Sequence, residues 1–331
     1  MSERASESSA GRILSDDDLA GLVDTDALIA AVRAVHVDEA LGRAVQPVPM
    51  LTSTGPDTVL LPMIATSHRL GLTAVKILTD ARGNGPGDGP AQQSTVVVLD
   101  ARTGTRRAVL SGGRITRERT AAATAVATDA LARPDARVLG VIGAGPLAVE
   151  HVAALRRVRD LHEVVVWSRT AERVAEFRTA LRKREAADGV PAITVRAADS
   201  PRAAVQACDV LCTVTPAHTP VVEGAWFHPG LHVNAVGAPP RPDHREIDSA
   251  GMARATVVVD SREIQLAKSG EVLLSIADGS TTPEHFGVEL GAVLAGQAPG
   301  RTSREEITLF NSVGVALQDL AYAALALDLG P

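Results

Sequence analysis

The sequence is poor in aromatic residues, which make up 2% of its 331 residues, whereas hydrophobic residues as a whole make up 45%. The core must therefore be filled mainly by alanine, valine, leucine and isoleucine, and few rings are available to stack on nucleic-acid bases. The formal net charge of −6 also argues against a nucleic-acid surface, which would need an excess of lysine and arginine. We therefore expect no nucleic-acid partner.

Cysteines and long apolar runs are also scarce. Only Cys208 and Cys212 are present, and we interpret both as buried thiols rather than a disulfide or a metal site. No apolar stretch resembles the ~20 residues that cross a bilayer, and the start of the chain lacks the apolar core of a secretory signal. These absences predict a cytoplasmic protein without a membrane partner, in which residues 1–12 form a disordered leader.

Two patterns follow each other along the chain. Residues 81–93, rich in glycine and proline, predict a loop between the strand GLTAVKILT and two strands joined by a turn at Thr103 and Gly104, which indicates a small α+β sheet. Short valine-rich runs such as HEVVVWSRT and CDVLCTVTP then alternate with helical stretches, as in a parallel sheet covered on both faces. The final stretch predicts one long amphipathic helix with a capping box at Ser303 and Glu306.

The stretch VLGVIGAGPLAVEHVAAL carries the clearest motif. Gly143, Gly145 and Ala148 form G-x-G-x-x-A between a predicted strand and a predicted helix, which is the context of a dinucleotide fingerprint. The first glycine permits the tight turn, the second lets a pyrophosphate approach, and the alanine permits close packing of helix on strand. Pro146 and Leu147 begin the helix, whose N-terminal amides attract phosphate. A merely structural turn is the alternative, but we expect a nucleotide site.

The next strand, EVVVWSRT, indicates which nucleotide binds. It ends in Ser168, Arg169 and Thr170, where an NAD-specific site would carry an Asp or Glu that binds a ribose hydroxyl. Arginine can hold a 2′-phosphate, which a carboxylate would repel. The sequence therefore favours NADP(H) over NAD(H), with a solvated arginine on a loop as the alternative.

Two cations stand in apolar surroundings. Lys76 lies within the strand TAVKILT, where desolvating an ammonium is costly, so its side chain either reaches solvent or faces an anion. Arg119 falls in the predicted first turn of a helix with Thr116 as N-cap, where the helix dipole disfavours a cation. A guanidinium on this small-residue face indicates a pocket for a carboxylate, and a buried ion pair is the alternative.

Together the motifs resemble the ornithine cyclodeaminase and mu-crystallin family, over nearly the whole chain from about Ile13. The matching stretches are GLTAVKILT, ITRERTAAATAVAT, VIGAGPLAVEHVAAL, VNAVGA, PDHREID, VVVDSRE and ITLFNSVGVALQDLA. The resemblance implies homodimers, a nicotinamide cofactor and an α/β fold. In that fold a Rossmann-type doubly wound parallel sheet (126–305) is inserted into a smaller α+β substrate-binding and dimerisation domain (13–125 and 306–331).

The resemblance also implies roles for individual residues. Lys76 and Arg119 are the catalytic pair that holds the substrate carboxylate beside the nicotinamide. By the same resemblance, Thr215 and Val236 line the cofactor cleft, and Ser312, Val313 and Gly314 lie near its nicotinamide end.

Departures from the family pattern indicate the reaction. The stretch GAPPRPDHREID is similar to the family branch that includes ketimine reductases and amino-acid dehydrogenases. Cyclodeaminases carry, at the position of Pro239, an aspartate that handles the substrate amine and assists the ring-closing steps. A reductase can do without it, because a protonated imine needs only hydride at carbon. Relatives often have arginine at the position of Pro49, methionine at Leu61 and, in some, histidine at Gln92, so the substrate pocket is altered.

We therefore expect NADPH-dependent reduction of a C=N bond adjacent to a carboxylate, which gives a cyclic or N-substituted amino acid from an imino-acid substrate. Three alternatives remain open from the residues. They are an ornithine- or lysine-type cyclodeaminase, an amino-acid dehydrogenase that uses free ammonia, and a catalytically weak protein that binds NADPH or another ligand.

Overall fold

The computed structural model describes residues 11–55, 58–81 and 92–328. They form two compact units. The first unit contains the described residues up to Arg119 and those from Val315 onward, and the second unit is Thr120–Gly314. The assignment of substrate and dimer contacts to the first unit, and of the cofactor to the second, stays a prediction.

The strands are β1 (Arg12–Leu14), β2 (Ala44–Val45), β3 (Thr52–Ser53), β4 (Thr58–Ser67), β5 (Leu72–Ala81), β6 (Gln92–Asp100), β7 (Arg106–Ser111), β8 (Val138–Ile142), β9 (Glu163–Trp167), β10 (Thr194–Ala197), β11 (Val210–Thr213), β12 (His232–Ala235), β13 (Thr256–Val259), β14 (Val288–Glu289) and β15 (Thr308–Asn311). The α-helices are α1 (Thr25–Ala40), α2 (Gly112–Leu131), α3 (Pro146–Leu155), α4 (Ala171–Ala187), α5 (Pro201–Gln206), α6 (Ser249–Arg254), α7 (Arg262–Lys268), α8 (Gly270–Ala277), α9 (Leu290–Leu294) and α10 (Ala316–Ala326).

The first unit is built on a largely antiparallel sheet. Strands β7, β6, β5 and β4 pair in that order, β2 and β3 both pair with β4, and β1 pairs in parallel with β7. Because side chains alternate between the faces of a strand, Ala74 and Lys76 of β5 are buried while Ile77 is exposed on the opposite face. Helix α10 packs on β4 and β5 and also against α1. Lys76 therefore lies on a buried face of the sheet.

The predicted hairpin in this unit is confirmed. Strands β6 and β7 are antiparallel, with Val97 opposite Val109. The turn between them contains Gly104, whose φ of 71° lies in the left-handed region that glycine adopts without strain. This turn was recognisable because its signal is local.

The second unit contains a parallel sheet with the order β10-β9-β8-β11-β12-β15-β13-β14. Two hydrophobic clusters cover its two faces. Val141 and Val164 belong to one cluster with residues of α3 and α4, whereas Ile142 and Val165 belong to the other with residues of α5, α6 and α8. Adjacent residues of one strand thus face opposite helix layers, and the predicted α/β class is confirmed. Cys208 and Cys212 are buried free thiols, as predicted.

The prediction of one long helix from Ser303 is wrong. Ser303 Oγ does accept the N–H of Glu306 at 3.1 Å, but residues 308–311 form β15 between β12 and β13. Helix α10 begins only at Ala316, after Gly314 at a φ of 80°. All four residues of β15 are buried, because a strand inside a covered parallel sheet needs no polar face. The sequence of β15 therefore resembles the start of an apolar helix face, and the prediction extended the helix over it.

Two predictions fall partly on residues outside the described ranges. Of the predicted leader 1–12, residues 1–10 lie outside them, and Arg12 begins β1. Of the predicted loop 81–93, residues 82–91 lie outside them, whereas Ala81 ends β5 and Gln92 begins β6. Among the described residues, no helix has both the length and the apolar composition that a membrane crossing requires.

Candidate active site

The buried charges of the first unit meet at Asp319 in α10. The carboxylate is 0% exposed, and its Oδ1 accepts hydrogen bonds from Lys76 Nζ at 3.0 Å and from Arg119 Nε at 3.3 Å. Lys76 and Arg119 are 1% and 4% exposed. Oδ2 of Asp319 has no hydrogen-bond partner among the described residues. One carboxylate thus shares a single oxygen between two buried cations.

Further polar side chains fix the two cations. Lys76 Nζ also donates to Thr116 Oγ1 at 2.7 Å, and Arg119 Nη1 donates to Gln318 Oε1 at 2.6 Å. Three elements therefore contribute to the cluster: β5 supplies the lysine, α2 the arginine and threonine, and α10 the carboxylate and amide. The structure brings the two predicted catalytic residues together.

The local prediction for α2 is wrong in one respect. The helix begins at Gly112, so Thr116 is not its N-cap but an interior residue whose Oγ1 donates to the Gly112 carbonyl at 2.7 Å. A Cβ at Gly112 would lie 2.1 Å from Ser94 Oγ, and one at Gly113 would lie 2.6 Å from Asp16 Oδ2. The two glycines allow the helix to start against these neighbours. Arg119 therefore lies beyond the first turn, and the expected conflict with the helix dipole does not arise.

The cluster carries one excess positive charge near neutral pH. Burial lowers the pKa of Lys76 to about 8, while Asp319 raises it and Arg119 lowers it. The pKa of the buried His36 is lowered to about 4 by burial and by Arg119, so its imidazole is neutral. Among the residues that the structure describes, two cations thus face one carboxylate. A buried group of this charge is best completed by one anionic ligand.

In the second unit, a cavity of about 810 Å³ lies at the carboxyl ends of β8, β9 and β11. Its size falls within the range of small-molecule sites, and its position is the one where open α/β sheets bind ligands. It is lined by Gly143, Ala144, Gly145, Trp167, Ser168, Arg169, Thr170, Arg173, Val214, Thr215, Pro216, Ala217, His218, Thr219 and Val221.

The glycine turn of this cavity fits a dinucleotide. Gly143 has a φ of 108°, and a Cβ there would lie 3.0 Å from the Val214 carbonyl oxygen. At Gly145 a Cβ would meet nothing within 4 Å, so open space lies beside the first turn of α3. Pro146 occupies the first turn of that helix, and Ala148 is fully buried against the sheet. A phosphate can therefore approach the N-terminal amides of α3.

The end of β9 supplies positive charge to the same cavity. Ser168, Arg169 and Thr170 line it, and no acidic side chain is among its described lining residues. Their role in binding a ribose phosphate stays a prediction. Arg173 of α4 also lines the cavity and was not predicted. It forms an exposed ion pair with Glu176 at 2.9 Å.

Seven of the residues predicted to bind the cofactor are not among the lining residues of this cavity: Pro146, Leu147, Ala148, Val236, Ser312, Val313 and Gly314. Val236 is buried directly after β12, and Val313 stands between two residues that contact Asp260. Ser312 Oγ and the N–H of Gly314 donate to Asp260 Oδ2 at 2.6 and 2.9 Å. The carboxylate of Asp260 thus holds the turn after β15 in place.

Comparisons with known proteins give the family of this chain. The model of the ornithine cyclodeaminase/mu-crystallin family matches residues 12–328. The chain belongs to this family. It is 38% identical over 253 residues to the ketimine reductase mu-crystallin of Mus musculus. The matched residues make up 76% of this chain and 74% of that protein.

Two solved structures resemble nearly the whole chain. The Δ1-pyrroline-2-carboxylate reductase of Thermococcus litoralis in complex with NADH and L-proline gives a TM-score of 0.90 at 31% identity, covering 96% of this chain and 97% of that one. An archaeal alanine dehydrogenase dimer with bound NAD gives 0.88 at 30% identity, covering 96% and 95%. The named relatives are thus reductases of C=N bonds and an amino-acid dehydrogenase.

Asp319 is a residue of the candidate site that was not predicted from the sequence, as are Gln318 and Arg173. Asp319 stands in the stretch ALQDLAYAALA, where it is the only charged residue of α10. A carboxylate surrounded by apolar residues on a helix needs a buried cation, since burying it alone costs several kcal/mol. The isolated aspartate in this apolar stretch indicates a buried ion pair, but it does not identify which cation is the partner.

Asp319→Asn tests whether this carboxylate is the counter-charge of both cations. The change keeps the size of the side chain but leaves two buried cations uncompensated, so we expect the free energy of unfolding at pH 7 to fall by about 3–5 kcal/mol. Urea unfolding measures it. Asp100→Asn is the matched control in the same unit, because it removes the charge from a surface ion pair with Arg107. An asparagine at this position keeps a side-chain oxygen that can accept the N–H of Thr103 in the turn. A loss no larger than that of the control would contradict the account.

Proposed function

We propose that this protein reduces a C=N bond adjacent to a carboxylate with NADPH, giving a cyclic or N-substituted amino acid. The observation that carries the proposal is the sharing of one Asp319 oxygen by Lys76 and Arg119, which leaves one positive charge for a substrate carboxylate. The relatives support the reaction class. One is a ketimine reductase, and another was solved with NADH and L-proline, the reduced form of a cyclic imino acid.

The side chains of the cluster bind and orient the substrate. The Arg119 guanidinium can hold a carboxylate through two parallel hydrogen bonds, and the Lys76 ammonium adds a point charge. Asp319, Thr116 and Gln318 hold both cations before the substrate arrives, which lowers the entropic cost of alignment. NADPH, when bound, supplies hydride to the imine carbon. Because the protonated imine carries its own proton, no acid is needed at the position of Pro239.

NADPH is proposed as the preferred cofactor on the basis of charge. Arg169 and Arg173 line the cavity at the end of β9, and no carboxylate is among the described residues around it that could bind a ribose hydroxyl or repel a 2′-phosphate. Related structures contain NADH or NAD. The preference is thus a property proposed for this chain rather than for the family.

A homodimer is supported by the outer face of the first unit's sheet. Ile64 and Ile77 are 41% and 38% exposed on β4 and β5, and they stand opposite Val75 and Pro62 in the strand register. An apolar patch of this kind on a sheet is typical of a protein interface. A related alanine dehydrogenase is a dimer. We therefore propose that two copies pack through this face. The cytoplasmic location is a separate prediction.

The direct test of the activity uses the purified protein with NADPH or NADH and a panel of cyclic imino acids and keto-acid plus amine pairs. We expect loss of reduced-nicotinamide absorbance that depends on an imine next to a carboxylate, is faster with NADPH, and needs no ammonia. Oxidation that requires a keto acid and free ammonia would instead establish an amino-acid dehydrogenase. Binding of NADPH without turnover on any imine would establish a binding protein, and release of ammonia from ornithine or lysine without net oxidation a cyclodeaminase.

The role of Lys76 predicts a pH dependence. Only the protonated lysine attracts a carboxylate, and burial lowers its pKa to about 8. We expect kcat/KM for the imine to fall as pH rises through about 8, by about tenfold per unit beyond it, since kcat/KM reports the free enzyme. In Lys76→Arg the guanidinium stays charged, so this fall should move beyond the measured range. The same fall in both proteins would assign it to the substrate and contradict the role of Lys76.

A further inference from the structure

Glu246 lies at the centre of a hydrogen-bond network behind residues 214–222, which form one wall of the cavity. The side chain is fully buried. Its Oε1 accepts the N–H of Thr215 at 2.6 Å and the hydroxyl of the same residue at 2.7 Å. Its Oε2 accepts the Thr213 hydroxyl at 2.8 Å and the N–H of Gly237 at 2.7 Å. One carboxylate therefore satisfies donors from two different strand ends.

These donors lie at the edge of the sheet where the cavity opens. Thr213 is the last residue of β11, and Thr215 follows it and lines the cavity. Gly237 comes shortly after β12, the neighbour of β11 in the sheet. The Glu246 carboxylate thus ties the exits of two adjacent strands to each other.

The wall segment after β11 is also closely packed between two glycines. A Cβ at Gly237 would lie 2.1 Å from the backbone nitrogen of Thr215. A Cβ at Gly143, in the glycine turn, would lie 3.1 Å from Thr215 Cγ2. Thr215 therefore sits between the turn after β8 and the exit of β12 without spare room. A displacement of Thr215 would be transmitted to the glycine turn, because packed elements do not deform independently.

The main chain of Glu246 supports the other end of the same wall. Its carbonyl oxygen accepts the N–H groups of Val221 and Val222 at 2.9 and 3.0 Å, and Val221 lines the cavity. Its own N–H donates to Oε1 of the buried Glu271 at 2.9 Å. The residue thus holds the wall at both ends and is itself held from behind.

We infer that Glu246 is the positioning residue of the cofactor pocket, and that it sets the wall 214–222 against the glycine turn. It is not among the lining residues, so it acts through Thr215 rather than by touching the cofactor. Burying a carboxylate is costly, and a network satisfied on every side specifies a unique arrangement of the backbone. The inference rests on the proposed function, since it takes the cavity as the nicotinamide-dinucleotide site.

Glu246→Gln tests the inference with little change of shape. Each carboxylate oxygen accepts a backbone N–H, so the amide nitrogen of glutamine must oppose a backbone donor in either orientation. The matched control is Glu185→Gln. Glu185 is a buried carboxylate of the same unit that binds Arg156 and the N–H of Ile193 and does not line this cavity.

The readouts are the Kd of NADPH, the midpoint of thermal unfolding and the kinetic constants. We expect Glu246→Gln to raise the Kd and the KM of NADPH about tenfold or more, as loss of a buried charged acceptor does, while the KM of the imine stays unchanged. Glu185→Gln should lower the unfolding midpoint without changing the Kd. An equal rise of the Kd in both variants, or no rise in Glu246→Gln, would overturn the inference.

Thr213→Val provides a milder variant should Glu246→Gln fail to fold. It removes one donor to Glu246 at a residue outside the cavity lining, and we expect the Kd of NADPH to rise about threefold, with recovery in Thr213→Ser. An unchanged Kd in the valine variant would count against the inference. A wild-type protein that binds neither NADPH nor NADH would refute the proposed function and the inference with it, whereas normal wild-type binding with unaffected variants would refute the inference alone.

Discussion

The attraction of two buried cations to one oxygen of Asp319 is the interaction on which the proposed chemistry depends. An ammonium or guanidinium buried without a partner costs several kcal/mol, so Lys76 and Arg119 need this carboxylate to remain inside the first unit. A second acidic side chain would neutralise the cluster and leave nothing for a ligand. With one carboxylate, the protein keeps the cations in place and retains one charge that an anionic substrate can complete.

In the second unit, the proposed dinucleotide site depends on close approach of main-chain amides rather than on buried charge. Glycines at 143 and 145 provide the turn and the open space beside α3, and the arginines after β9 supply charge at the cavity. The wall opposite the glycine turn carries no comparable motif. Its position is set by hydrogen bonds to Glu246, which lies 31 positions along the chain from Thr215.

Local patterns were sufficient to predict much of this molecule. The glycine turn, the valine-rich parallel strands and the hairpin at Gly104 each follow from a few consecutive residues, and the structure confirms the α/β fold. Partners distant in sequence were not predictable in the same way. Lys76 and Asp319 are separated by 243 positions, and the residues around each of them do not indicate that the two pair. The strand β15 was merged with α10 because a fully buried strand and an apolar helix face look alike without their neighbours.

The most direct test of the central claim compares two cyclic imines that differ only in the carboxylate, Δ1-pyrroline-2-carboxylate and Δ1-pyrroline, with NADPH in excess. If the cluster of Lys76, Arg119 and Asp319 binds the carboxylate, kcat/KM should be about 100-fold or more higher for the carboxylate form, as expected for a buried charge pair. Equal values of kcat/KM for the two imines would contradict the account.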